Sequence, residues 1–426
     1  MKLLKPIIST LLLALFVTAG SAFGQVFDRD LQYFTAPDQR GLNEFEAPFT
    51  TNIGFDGVVV RIGGSNALQF QGLRHDNMLG TLPGLESNFN LATSNLDLDV
   101  ALGEGLRMHL RTYLTSQHHT EAYVKSGYMQ VDRLDFIQEG LLSGVMDHVR
   151  IKIGHMENNY GDNHFRRSDN GSAIHNPFVG NYIMDSFTTE VGGELYYYDG
   201  PWMAMFGLTN GKLNQSTLEG TYKTHASVLG KLAYDNQFSD DFRFRLSGSV
   251  YTTGQSPSIY LYSGDRAGSR YYNVLDDGFR SGRFAPSFTP GRTDPAGYGE
   301  MTSVMVNPFV KYGGLEFYGL YENATGKSNT ESDSRSYNQY GAELLYRFGS
   351  AEDVYLGFRW NMVEGENMTD GSFDITRYNI GGGWFLTKNV LAKVEYVSQE
   401  WNGFMSGSKY DGAEFNGIMM EAVISF

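Results

Sequence analysis

Glu414-Phe415-Asn416-Gly417-Ile418-Met419-Met420-Glu421-Ala422-Val423-Ile424-Ser425-Phe426 closes the chain. Taken backward in steps of two it gives Phe426, Ile424, Ala422, Met420 and Ile418, while the other set holds Ser425, Glu421 and Gly417. A two-residue period with one apolar face is the pattern of a strand wet on one side only. Phe426 ends the apolar row.

The same alternation recurs upstream. Val354, Leu356, Phe358, Trp360 and Met362 oppose Tyr355, Gly357, Arg359 and Asn361. Phe242, Phe244, Leu246 and Val250 oppose Arg243, Arg245, Ser247 and Ser249. Leu106, Met108 and Leu110 oppose Arg107, His109 and Arg111, and Val149 and Ile151 oppose Arg150 and Lys152. In lipid every backbone group needs an internal partner, so strands with one apolar and one charged face must close on themselves.

The connections alternate in length. Short ones fall at 103–105, 199–200, 312–314, 349–353 and 387–389; longer ones at 77–95, 157–187, 253–300, 323–336 and 401–413. One connection, 132–148, is long where a turn is expected and has room for a short helix. The expected fold is all-β: a transmembrane antiparallel β-barrel of about 16 strands, with short periplasmic turns and long extracellular loops.

Composition agrees. The 426 residues include 51 Gly, 27 Tyr and 29 Phe, only 11 Pro and no Cys. Aromatic residues suit interfacial girdles, and an exported chain without cysteine must draw its stability from a large sheet rather than from disulfides. A net charge of −15 argues against nucleic acid as a partner. Lys2 and Lys5, the apolar run Leu11–Val17 and the small residues around Ala22 and Gly24 read as a signal peptide over 1–24, too short for a spanning helix. Residues 25–52 lack a clean pattern and are expected to be a periplasmic lead-in, leaving 53–426 for the barrel.

Three stretches resemble the phosphate-selective porin superfamily. They are Val149-Arg150-Ile151-Lys152-Ile153-Gly154-His155 with the strand before it, Gly192-Gly193-Glu194-Leu195 with Met203–Gly211, and Phe385–Tyr396. The likeness is diffuse over roughly 100–426. It implies a homotrimeric outer-membrane diffusion channel of a Gram-negative bacterium, in contact with outer-membrane lipid and lipopolysaccharide and inserted by the barrel-assembly machinery through the Phe426 signal. The sequence departs from the strongly basic lumen of the phosphate-type members, since inward acids nearly balance inward bases.

The candidate pore-lining residues are Arg107, Arg111, Arg150, Lys152, Arg243, Arg245, Arg359, Lys393, Glu316 and Glu322. The basic rows Arg107, Arg111, Arg150 and Lys152 on early strands, with Arg243 and Arg245 on a later one, are expected to form a positive wall facing Glu316 and Glu322. The loop 157–187 carries Asp162, Arg166, Arg167 and Asp169, and a loop folded into a barrel narrows it; these are the constriction candidates. Against that stands an ordinary surface loop. The stretch 253–300, with Arg266, Arg270, Arg280, Arg283 and Arg292 offset by Asp265, Asp276, Asp277 and Asp294, is a second candidate. His118, His119 and Glu121, or His155, Glu157 and His164, lack a recognised ligand spacing, so neither a metal, a cofactor nor an enzymatic activity is expected. The expected function is passive diffusion of small hydrophilic, in part anionic, solutes; the alternative is a structural or adhesive barrel without an open pore.

Overall fold

The computed structural model describes residues 30–115, 122–169, 171–213, 223–265, 270–278, 281–289, 297–367 and 371–426. The expected signal peptide, His118, His119, Glu121, Arg266, Arg280, Arg292 and Asp294 lie outside them. The strands are β1 (Val59–Asp76), β2 (Asn88–Gly103), β3 (Leu106–Leu114), β4 (Tyr123–Val131), β5 (Val149–Glu157) and β6 (Thr189–Asp199). They continue as β7 (Trp202–Thr209), β8 (Ser227–Gln237), β9 (Phe242–Ser256), β10 (Gly299–Tyr312) and β11 (Leu315–Ser328). The last are β12 (Arg335–Phe348), β13 (Val354–Asn367), β14 (Gly371–Thr387), β15 (Val390–Asn402) and β16 (Glu414–Ser425).

Each strand pairs antiparallel with its sequence neighbours, and β1 pairs with β16, so the sheet is a closed barrel of 16 strands. The seam runs from Ser65↔Ser425 to Asp76↔Glu414. Beyond it the Phe426 N–H donates to the Gly64 carbonyl and the Gly64 N–H to the Phe426 carbonyl, both at 3.0 Å. The expected fold class is therefore the observed one. Alternation sets the faces: on β13, Leu356 and Phe358 point outward and are exposed, whereas Arg359 and Asn361 point inward and are buried. Outward aromatics gather at two levels. Tyr321 and Tyr340 pair at 5.5 Å toward the loop end, and Tyr346 and Phe348 at 4.9 Å toward the turn end.

Wall height is uneven. β3, β4 and β5 have 9 residues each, whereas β10, β11, β12 and β13 have 14. Several expected loops are therefore partly strand. The stretch 323–336 shrinks to 329–334 because β11 and β12 continue their ladder past Asn323↔Asn338, and 77–95 shrinks to 77–87. The 132–148 connection does hold one helical turn, α1 (Ser143–Met146).

Residues 30–53 precede the first strand and belong to the turn end of the barrel. They turn into its turn-end mouth and cross it, which we call the strap. The Gln39 N–H donates to the Lys388 carbonyl at 2.8 Å in the β14–β15 turn. Gln32 Nε2 donates to Glu104 in the β2–β3 turn at 2.9 Å, so the two anchors lie on different sides of the rim.

Deletion of Phe426 removes the last pair of seam hydrogen bonds and leaves the inner wall untouched. The amount of barrel inserted in cells is expected to fall, while the fraction that folds keeps its heat-modifiable gel mobility. Normal insertion of the truncated chain would contradict this.

Candidate functional site in the lumen

Two connections fold inward. The first, 158–188, enters at Gly161, whose φ of +69° and close approach to Met305 admit no side chain. Its main-chain N–H groups are met by inward polar side chains of the wall. Gly161 donates to Ser249 Oγ at 2.8 Å, Asp162 to Asn307 Oδ1 at 2.9 Å, Ile183 to Asn361 Oδ1 at 2.7 Å and Met184 to Gln339 Oε1 at 2.7 Å. Val179 donates to Glu395 Oε2 at 2.9 Å. A buried backbone donor without a partner costs free energy comparable to a lost hydrogen bond, so these wall residues are the condition for the loop to lie inside. The second connection, between β9 and β10, brings Leu261, Tyr262, Tyr271, Val274 and Leu275 into the same apolar cluster as Tyr182, Ile183 and Met184. Inward Met205, Leu229, Met305, Phe309 and Tyr318 complete it from the wall.

The predicted residues fall in two groups. Arg166, Arg359 and Glu343 form one buried set, at 3.1 and 2.7 Å. Lys393 pairs with Glu421 at 2.5 Å and donates to three loop carbonyls, those of Ala173, Asn176 and Phe178, at 3.0 to 3.1 Å. Glu316 takes Arg347 at 2.8 Å, and Glu322 accepts from Tyr262 Oη at 2.8 Å and Gln339 Nε2 at 3.0 Å. Arg167 reaches Asp185 at 2.6 Å and also Asp265, joining the two inward connections. Asp169 takes Lys125 of β4 at 2.7 Å. All these side chains face inward but lie under packed protein, not against an open lumen.

The second group lines a remaining space. A cavity of about 210 Å³ runs along β1–β5, bounded by Arg61, Asp97, Asp99, Arg107, Arg111, Arg150 and Lys152 on the wall side. Arg111 holds Asp97 through two hydrogen bonds at 2.5 and 2.6 Å, and Arg61 and His109 share Asp99 at 3.2 and 2.7 Å. Lys152 has one ion pair, at 3.6 Å to Glu194, and lies over the Tyr128 ring at 4.5 Å. Gly171 (φ +80°) lies against the Arg111 guanidinium and covers the cavity from the loop side. A second space of about 490 Å³ opens at the turn end, and Phe34, Glu44 and Arg61 line both.

Arg243 and Arg245 do not form a positive wall opposite Glu316 and Glu322. They sit on β9, two strands from β11, under the strap. Arg243 pairs with Asp235 at 2.7 Å. Arg245 is 3% exposed and contacts Asp162 and Glu46 at 2.9 Å and Asp235 at 3.2 Å. Lys231 of β8 meets Asp162 at 2.8 Å and Glu46 at 2.9 Å. Burial raises the Glu46 carboxyl, but Arg245 and Lys231 outweigh it and hold it down at about 2. The same two cations hold Asp162 well below the ordinary aspartate range against its burial. Arg150 donates to the Ala47 and Pro48 carbonyls at 2.6 and 2.7 Å, and Phe49 stacks on Tyr198 at 4.3 Å. The strap and Lys125 were missed in the sequence because neither lies on an alternating pattern. Among the described residues no three metal-ligating side chains converge.

No protein-family model matches the chain, and no curated protein matches it in sequence. Solved structures do match. OmpT of Vibrio cholerae is 11% identical with a TM-score of 0.52, covering 88% of this chain and 99% of its own. An anion-selective porin from Comamonas acidovorans is 12% identical with a TM-score of 0.53, covering 87% of this chain and 100% of its own. The outer-membrane channel DcaP of Acinetobacter baumannii is 10% identical with a TM-score of 0.53, covering 88% of this chain and 99% of its own. At such identities the likeness is one of fold: this is a porin-like barrel.

The Glu46 pairing has a pH signature. A carboxyl whose folded value lies below its usual 4.5 contributes stability that is complete above about pH 4.5. That contribution is lost as pH falls toward 2. Glu46→Gln is expected to cost about 3 kcal/mol at neutral pH, the low end for breaking a buried pair. Its stability should fall less steeply than that of the wild type between those pH values. Acid titrations followed by circular dichroism check this, and parallel curves would refute it.

Proposed function

We propose that this chain is an outer-membrane channel of the porin type, passing small hydrophilic solutes, anions among them, by passive diffusion through a slot along β1–β5. The observation that carries the reading is the pair of adjoining spaces that share Phe34, Glu44 and Arg61 and are lined by charged side chains. Charges in such a throat act with little solvent screening, so they sort solutes by sign. Arg107, Arg111, Arg150 and Lys152 stand on one side of the slot and Asp97 and Asp99 between them and Arg61. The turn end faces the periplasm, the outward band faces lipid, and the loop end meets lipopolysaccharide. Insertion goes through the barrel-assembly machinery, and the working unit is a homotrimer, as in the trimer form recorded for OmpT of Vibrio cholerae. Kinship with the phosphate-selective porin superfamily rests on the strand motifs around Val149, Gly192 and Phe385.

A second reading has its own observation. Three segments fill the lumen, as they would in a structural or adhesive barrel with no open pore. Planar-bilayer recording separates the two. The channel reading expects small single-channel conductance, and a larger one when residues 32–50 are deleted. Lys152→Glu, at a site with one weak ion pair, should move the reversal potential in a salt gradient toward cation preference. Absence of conductance in both the wild type and the strap deletion, with the barrel folded, would favour the sealed barrel.

A further inference from the structure

We propose that Lys231, Arg245 and Asn159 form a carboxylate-binding site on the lumen wall, that Glu46 of the strap occupies it as a tethered ligand, and that a small carboxylate solute takes its place. The inference rests on the channel reading only for what brings the solute there.

The geometry is that of a bound carboxylate. One Glu46 oxygen meets Lys231 Nζ at 2.9 Å and accepts from Asn159 Nδ2 at 3.3 Å; the other meets Arg245 Nη2 at 2.9 Å. The donors come from three separate elements: β8, β9 and the inward loop. Lys231 and Arg245 are both buried, so both are already desolvated and aimed. Preorganised donors of this kind cost little further ordering when an anion arrives.

Charge counting says what the site requires. The cations at this point are Lys231, Arg245 and Arg243, and the acids are Asp162, Asp235 and Glu46. Removing Glu46 leaves three cations against two acids, and an uncompensated buried charge is strongly destabilising. Asp162 stays within reach of both Lys231 and Arg245, so a multiply charged phosphate would be repelled where a planar monoanion is not. The Arg245 fork itself is held by Asp162 through Nε and Nη2 at 2.9 Å, which fixes Nη2 in place to meet a second carboxylate.

The strap is shaped for exchange. Glu46 and Asn159 line the 210 Å³ cavity, whereas Lys231 and Arg245 do not: they lie behind Glu46. A solute moving along the slot therefore meets the Glu46 carboxylate first and the cations only once it yields. The residues on either side of Glu46 bind the wall without charge of their own. Phe45 lies under Arg245 at 4.2 Å, and Ala47 and Pro48 offer carbonyls to Arg150. Glu46 can thus leave its site while its neighbours keep the strap near.

The test is chemical rescue. Glu46→Ala leaves a carboxylate-sized gap in front of the cations. Apparent melting temperatures at one fixed scan rate are compared in sodium formate, sodium acetate and sodium chloride at equal ionic strength. The variant is expected to melt below the wild type in chloride and to rise with the logarithm of formate or acetate concentration more steeply than the wild type, in which the solute must first displace Glu46. Glu46→Ala combined with Lys231→Met should lose the rescue. Should Glu46→Ala fail to fold, Glu46→Gly in detergent-refolded protein offers the same gap. A folded variant whose melting is identical in formate and chloride overturns the proposal. Rescue without any conductance would keep this site and remove the channel reading; conductance without rescue would do the reverse.

Discussion

A main-chain N–H or C=O taken out of water without a partner costs about 1–3 kcal/mol, and that constraint organises this molecule twice. Once it acts on the wall, where the β1–β16 seam leaves no edge strand open to hydrocarbon. It acts again inside, where loop 158–188 runs through the lumen as irregular backbone. That is tolerable only because Ser249, Asn307, Gln339, Asn361 and Glu395 stand ready at the right heights. The inner polar face is thus in large part a rack of hydrogen-bond partners for chain, and in smaller part a surface for water.

Buried charge follows the same rule. Arg359, Arg166 and Glu343, or Lys393 and Glu421, would be costly alone; paired, and capped by loop carbonyls, they fix the loop in one position. Such pairs add little net stability over apolar packing of equal volume, but breaking one is expensive. The lumen contents are therefore held in one register rather than merely stuck to the wall.

The sequence was legible where one face met lipid and the other did not. Strand β13 and strand β16 could be read residue by residue, and the inward turn of the loop carrying Arg166 and Arg167 was foreseeable from its length and charge. What it did not announce was how full the barrel is. The signal existed in β10, where Val304 and Val306 point out while Met301, Met305 and Phe309 point in. A strand apolar on both faces is buried on both faces, and inside a barrel that means packed contents. The strap was invisible for another reason: Glu46, Asn43 and Phe45 act through partners hundreds of residues away or less, with no periodicity to reveal them. Loop ends were misplaced near Asn323 because polar Asn, Thr and Ser continue a ladder above the membrane as readily as they leave it.

The unequal strand lengths give the barrel a direction within the membrane plane. Nine residues at about 3.3 Å each, tilted by about 40°, rise about 23 Å, close to the ~25 Å height of a barrel's apolar band. Fourteen rise about 35 Å, about 12 Å more. Among the described residues the strands are shortest over β3–β8, at 8 to 11 residues, and the wall steps up abruptly to 16 and 18 at the neighbouring β2 and β1. The charged cavity straddles that step, with Arg61, Asp97 and Asp99 on the two tall strands and Arg107, Arg111, Arg150 and Lys152 on the short ones, so its two walls belong to parts of the barrel that reach different heights.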